Sequence, residues 1–363
     1  MMQTSTPFIF MRGGSSRGPY LKRSDLPESL DDLSNVLTSI VGAGHPFNID
    51  GIGGGTAVTT KIAMLSKSDD DWADVDYFFA QVGVEEKLVD YKPSCGNILV
   101  GVGPAAIEMG LVEPTGDVTE VRIRAVNTGT LVSELVQTPS GIVQYDGNAA
   151  IDGVPGTAAP IQLRFMKVEG SLTGALFPTG SRTEVINGVT VSCMDVAMPM
   201  VIGLASDFGI TGYESAADLD SNTDLFAKME AIRLIAGERM GLGDVTKSVT
   251  PKFGLLAPSK GGGSACVRYF MPWKCHPTLA VTGSQCLAAC LLAPGTVAKG
   301  LLEPRPGAPA DLKLEHPMGM MEVVVDYKDE NGRFEVISAG LLRTARKLAT
   351  GEVFIPGSVW QRN

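Results

Sequence analysis

A cysteine followed by glycine and asparagine, Cys95-Gly96-Asn97, opens a stretch that is apolar or small through Met109, with Glu108 its single charge. The spacing predicts a helix starting near Cys95 or Gly96, with Gly101, Gly103 and Pro104 as weak points. The first amides of a helix have no helical acceptors, so its start favours negative charge. That suits a thiol which must exchange a proton, or a substrate carboxylate. The same three residues also describe a buried structural thiol followed by a turn glycine. Lys61 is a second candidate. It stands between Thr60 and Ile62 in Ala57–Leu65, where Val58, Ile62 and Met64 predict a largely buried strand. A lysine desolvated there is a usable base; a lysine pointing outward from an edge strand is the other reading. Arg12-Gly13-Gly14-Ser15-Ser16-Arg17-Gly18 supplies guanidinium, hydroxyl and amide donors for an anion, or is an ordinary tight connection. Thr282-Gly283-Ser284 leads into a second nearly all-apolar run, Gln285–Ala293, and so resembles Cys95-Gly96-Asn97 in its setting.

The elements around these residues have a repeating character. Thr6–Met11 predicts a strand, and Ser24 and Pro27 predict a helix start before the stripe Leu30, Leu33, Val36, Leu37 and Ile40. Strands are expected over 75–84, 118–125, 129–137 and 161–168, with 142–145 pairing back in a hairpin. In the second half, 190–198, 266–271, 321–327 and 334–338 predict strands, 221–241 a helix, and the segment through Arg343 and Arg346 a last helix or strand. Each half thus sets strands around one wholly apolar helix. Such a helix has to be wrapped by protein, since at about 15 residues it falls short of the roughly 20 a membrane span needs. Two halves of this kind would put two helix starts face to face across an interdomain cleft. The expected domains are 1–170, carrying Lys61 and Cys95, and 171–363, whose last segment is free to pack back on the first.

Composition narrows the function. The chain has 363 residues, 44% of them hydrophobic, with 43 glycines and no repeat, which favours strands and tight turns over a bundle. Its net charge of −10 argues against nucleic acid, and obliges an anionic substrate to be captured by local donors. Six cysteines show no Cys-x-x-Cys pair and read as reduced thiols of a cytoplasmic protein; no secretory signal or membrane span is expected. With three histidines, a His-rich metal site is not expected. The glycines of Asp50-Gly51-Ile52-Gly53-Gly54-Gly55-Thr56 invite nucleotide readings that fail. A dinucleotide fingerprint needs glycine where Thr56 stands, and a phosphate loop needs Gly-Lys-Ser/Thr. A cysteine hydrolase would need a histidine near Cys95, and His45, His276 and His316 lack such a context. A non-catalytic anion binder remains a third class.

Met11–Gly18, Asp50–Gly54, Thr59-Thr60-Lys61, Cys95-Gly96-Asn97 and His316-Pro317-Met318-Gly319 together resemble the methylaconitate cis-trans isomerase family across essentially the whole chain. The resemblance implies an α+β, diaminopimelate-epimerase-like fold: two pseudo-symmetric domains, each a barrel-like sheet around a central buried helix. It implies a cofactor-independent isomerase with Lys61 and Cys95 as its acid/base pair. Thr282 stands where a two-cysteine epimerase would carry its second thiol. Within the family, the branch acting on 4-oxalomesaconate in gallate and aromatic-acid degradation fits best, with methylaconitate or aconitate isomerisation as the alternative. The implied binding residues are Arg12, Ser15, Ser16, Gly96, Asn97, Thr282, Gly283, Ser284, His316 and Gly319, with amides at 96, 97, 283 and 284 holding carboxylates and the developing enolate. No metal is implied; the partner is a small tricarboxylate, with a homodimer left open. Ser15-Ser16-Arg17 replaces the more usual Thr-Ser-Lys, and Met318 a usual serine. Both stand where they could alter the substrate without altering the reaction.

Overall fold

The computed structural model describes residues 2–361. The chain forms two compact units, one made of the segments up to Leu163 and from Leu342 onward, the other of Arg164–Leu341.

The first unit contains β1 (Thr4–Gly13), β2 (Ser16–Lys22), α1 (Leu30–Val41), β3 (Lys61–Lys67), β4 (Val75–Val82), β5 (Val89–Asp90), α2 (Gly96–Leu99), α3 (Val102–Glu108), β6 (Val118–Ala125), β7 (Thr130–Gln137) and the start of β8 (Pro160–Met166). The second contains β9 (Glu184–Ile186), β10 (Val189–Asp195), β11 (Pro199–Leu204), α4 (Ala216–Asp220), α5 (Thr223–Arg239), β12 (Lys252–Ala257), β13 (Ala265–Phe270), α6 (Val281–Leu292), β14 (Ala310–His316) and β15 (Gly319–Glu330). A long last strand, β16 (Arg333–Ile355), begins against β15 and ends against β1.

Both units follow one plan. In the first, β1–β2 is antiparallel, β2–β3 parallel, β3–β4 antiparallel, β4–β6 parallel and β6–β7 antiparallel. In the second, β10–β11, β11–β12, β12–β13, β13–β14 and β14–β15 repeat that alternation. Each parallel step needs a crossover. In both units the first crossover includes an outer helix, α1 or α5, and the second carries the apolar segment, α2–α3 or α6. The sheet of each unit packs around that segment: α2 and α3 touch β1, β2, β3, β6 and β7, and α6 touches β10, β11, β14 and β15. Ile98 to Ile107 and Gly283 to Leu292 are accordingly buried along almost their whole length. Burying one Leu or Ile side chain contributes about 1.5–3 kcal/mol.

Several local expectations change. The apolar segment of the first unit is two short helices, because the chain breaks at Gly101 (φ −92°, ψ −2°), and Pro104 sits in the opening turn of the second. Ser24 lies in a 3-10 turn; Ser29 caps α1, its Oγ accepting from Asp32 N at 3.1 Å. Arg12–Gly18 is no open loop. It is the close of the β1–β2 hairpin, with Gly13 opposite Ser16 and Gly14 turning at φ +51°. Residues 142–145 form no strand, and a further strand, 199–204, begins at the proline where 190–198 is expected to end. The helix expected over 221–241 is α5, capped by Asn222, and the separate short α4 precedes it. The Asp50–Gly54 glycines close the C-terminal end of α1: Ile52 N and Gly53 N donate to Ile40 O and Val41 O, and buried Asn48 ties the loop to Gly42 O and Val84 O. Among the described residues no helix is long and apolar enough to cross a membrane.

The wrapped helix should carry much of each unit's stability. Leu287→Ala in α6, at a fully buried site, is expected to destabilise by about 2–5 kcal/mol, measured as a lowered denaturant midpoint. A loss below about 1 kcal/mol would contradict a close-packed helix.

Candidate active site

In the first unit, Cys95 is the N-cap of α2, in extended conformation (φ −129°, ψ 106°), and its carbonyl accepts from Leu99 N at 2.9 Å. Its side chain makes no capping bond. Of the six cysteines, all free, Cys95 alone is not buried. Burial pushes the thiols of Cys193, Cys266, Cys275, Cys286 and Cys290 up and away from reactivity. A helix of four residues has little macrodipole, so the donors here are the local amides of Gly96 and Asn97, the first exposed and the second half-buried.

Lys61 starts β3, and Val58 lies outside the strand and exposed. The lysine is half-buried, not sealed. Its Nζ donates to Gln81 Oε1 at 2.6 Å and stands 5.3 Å from the Phe79 ring centroid. Gln81 is in turn held by Ala57 O and Thr60 Oγ1. Two residues before Phe79 on the same face of β4, the Tyr77 hydroxyl donates to Cys95 O at 3.3 Å, and the two rings are 6.3 Å apart. Neighbouring side chains of one strand therefore hold the Lys61 amine and the main chain of Cys95.

The hairpin close reaches the same place. Asn97 Nδ2 donates to Ser15 Oγ at 3.1 Å, and a Cβ on Gly14 would come within 2.2 Å of Asn97 Oδ1, which is why only glycine fits. Arg12 spends Nη1 on Gly14 O (2.9 Å) and Thr344 O (2.8 Å), so part of its fork holds the hairpin. Ser16 Oγ is buried and without a partner. Arg12, Ser15, Ser16, Gly96, Asn97, Lys61 and Cys95 all belong to this unit.

Beneath Cys95 lies a cluster that sequence reasoning missed. Glu134 is wholly buried; its Oε2 accepts from Gly103 N at 2.7 Å and its Oε1 has no partner. Burial drives its pKa well above the usual carboxylate range, against the smaller opposing effect of the Gly103 bond. Tyr20 OH donates to Ile98 O at 2.5 Å. Burial also raises Tyr20 and Tyr77, so both remain neutral donors. The signal was present: Val132, Glu134 and Val136 share the inward face of β7, and a carboxylate there must be neutral or paired.

In the second unit, Thr282, Gly283 and Ser284 lie inside the first turn of α6, whose N-cap is Ala280. The expectation of a free Ser284 amide is corrected. Its N–H already donates to Ala280 O at 2.9 Å and its hydroxyl to Val281 O at 2.8 Å. The unpaired amides belong to Val281, Thr282 and Gly283. His316 ends β14, buried, its Nδ1 accepting from Met318 N at 3.3 Å, with exposed Gly319 as its strand partner. Adjacent Glu315 accepts from the Ser259 hydroxyl and from Lys260 N (3.0 Å), Gly261 N (2.8 Å) and Gly263 N (2.8 Å). Desolvation would raise its pKa, but these bonds outweigh it and hold the carboxyl at about 2. Glu315 thus braces the strand end that carries His316.

A sheet wrapped on one buried helix, built twice, is the diaminopimelate-epimerase-like fold. The chain matches the family described as PrpF protein over residues 3–356 and belongs to that family. Over 351 residues it is 47% identical to the (4E)-oxalomesaconate Delta-isomerase of Novosphingobium sp. (strain KA1), covering 97% of this chain and 98% of the relative. Over 360 residues it is 44% identical to the 4-oxalomesaconate tautomerase of Pseudomonas putida, covering 99% of each. The crystal structure of a methylitaconate-delta-isomerase superposes with a TM-score of 0.88 at 31% identity and covers both chains fully. The protein is an enzyme of the isomerase class.

The buried acid makes a pH prediction. A carboxyl whose folded pKa lies above its unfolded value of 4.5 contributes stability in full below that value, and loses it as pH rises toward the folded pKa. Glu134→Gln should therefore melt close to wild type near pH 4.5 and increasingly above it as pH rises to 8. An advantage independent of pH would mean that Glu134 is not held neutral.

Proposed function

We propose that the enzyme catalyses a cofactor-independent 1,3-proton shift, the keto-enol tautomerisation of 4-oxalomesaconate, with Lys61 and Cys95 as its acid/base pair. A C–H bond flanked by carbonyl and carboxylate groups breaks, and one of the pair takes the proton. The electron pair moves through the conjugated system, and the other of the pair supplies a proton at its far end. No atom is gained or lost. The observation that carries the reading is the joint anchoring of Lys61 and Cys95 to Phe79, Tyr77 and Gln81 of β4, together with the accessibility of Cys95 among otherwise buried thiols. The amides of Gly96 and Asn97, which follow Cys95, and the Ser15 hydroxyl, bonded to Asn97, would receive a carboxylate or enolate oxygen. Thr282, Gly283 and the His316–Gly319 turn are further binding candidates, and Ser284 contributes as a packing residue of α6. The names of the relatives at 44% and 47% identity support the substrate. The reaction would belong to gallate or related aromatic-acid breakdown in the cytoplasm. Isomerisation of methylaconitate or aconitate is the second reading, since the same pair would serve it.

A panel assay tests both. The purified enzyme is given 4-oxalomesaconate, 2-methylaconitate and aconitate with chelator present, followed by ultraviolet absorbance and NMR. Turnover of oxalomesaconate, reduced at least about 100-fold in Lys61→Met and in Cys95→Ser as expected for loss of a general acid or base, supports the proposal. Turnover of an aconitate alone selects the second reading, and full activity in either variant removes that residue from the pair.

A further inference from the structure

Strand register sets three arginines side by side. Arg12 on β1 is directly opposite Arg17 on β2 and directly opposite Arg346 on β16. Residues opposite one another in a sheet share a face, and like charges there repel. Among the described residues none of the three is in an ion pair. They line one cavity of about 280 Å³, to which Ile151 and the run from Gly153 to Thr157 also contribute. The single acid of residues 151–157, Asp152, acts on Arg343 instead. Ser16 also lines the cavity; it is 3% exposed and its hydroxyl has no partner. An unneutralised row of guanidinium groups beside an orphaned buried hydroxyl, in a protein of net charge −10, is an arrangement that an anion would complete.

The cavity adjoins the candidate chemistry. Ser15 lines it, and the Ser15 hydroxyl accepts from Asn97, two residues beyond Cys95. Arg12 is partly committed to main-chain carbonyls. Arg346 is exposed and Arg17 rests on the Phe10 ring, 5.8 Å from its centroid, so these two have forks to offer.

We propose that Arg346 and Arg17, flanking Arg12 and Ser16, form a subsite for the substrate carboxylate remote from the reacting carbons, and that this row selects tricarboxylates over dicarboxylates. The inference rests on the carboxylate-isomerase reading and deepens it by naming the residues that count carboxylates. The neighbouring Ser15-Ser16-Arg17 sequence contributes two of its members.

Binding tests the subsite apart from turnover. Propane-1,2,3-tricarboxylate and methylsuccinate have no double bond to shift, and titration calorimetry at low ionic strength measures their affinities for the full chain. Wild type should prefer the tricarboxylate by about tenfold or more, and Arg346→Gln should lower that ratio about tenfold, the usual scale of one charge-assisted hydrogen bond. A wild-type enzyme that does not bind the tricarboxylate or does not prefer it, or a ratio unchanged in the variant, overturns the proposal. Should the ratio fall while oxalomesaconate is not turned over, the subsite stands and the reaction reading fails.

Discussion

The helical segment of the first unit is broken inside an apolar core, and the structure around Cys95 follows from that. A main-chain carbonyl or amide stranded in such a core costs as much as a lost hydrogen bond. Three side chains from three strands bind the chain around the break: Tyr20 donates to Ile98 O, which also takes Gly101 N, Tyr77 adds a second bond to Cys95 O beside that of Leu99 N, and Glu134 accepts from the otherwise unpaired Gly103 N. The break itself needs glycine, since a Cβ on Gly101 would come within 2.4 Å of the Tyr20 hydroxyl. The first two of these bonds hold the Cys95 carbonyl and the turn that follows Asn97. Repairing the break and placing the thiol are thus one interaction network. It uses neutral donors and a neutral acid, as a buried site with no counter-ion requires.

The two units show how one plan diverges. Their strand alternation and the positions of their buried helices are the same, yet the helix starts differ. In the first unit the cap is a half-exposed cysteine on a four-residue helix. In the second the cap is Ala280, on an uninterrupted 12-residue helix whose opening turn buries Ser284 and sets Gly283 against the Tyr269 ring. Acid/base candidates are concentrated in the first unit. In the second, the helix start offers amides without a thiol, so the two helix starts do not carry a matched pair of cysteines.

Much of this was legible in the sequence because the signals were strong and local. An all-apolar run must be wrapped, period-2 alternation gave most strands, and the joint motifs gave the family. What stayed hidden depended on partners distant along the chain. The Arg12–Gly18 segment looks like a loop until β16 arrives to pair with β1. The Asp50–Gly54 glycines look like a ligand loop until their amides meet the end of α1. Ser24 looks like the cap of α1, whereas Ser29 outcompetes it. Ser284 reads as an open donor until the helix start at Val281 pairs its amide with Ala280 O. Glu134 could have been read from the inward face of β7, whereas its bond to Gly103 could not.

The central claim is that two different groups handle the two ends of one proton shift. Position-specific deuterium exchange in each single variant measures this directly. Oxalomesaconate is incubated in deuterated water with Lys61→Met or with Cys95→Ser, and NMR follows exchange at the carbon that loses its proton separately from formation of the isomer. The account predicts that one variant still exchanges hydrogen at one end of the conjugated system while making no isomer, because the remaining group performs its half of the reaction alone. Full carbon exchange with normal isomer formation in either variant would contradict it, since a single group would then be sufficient.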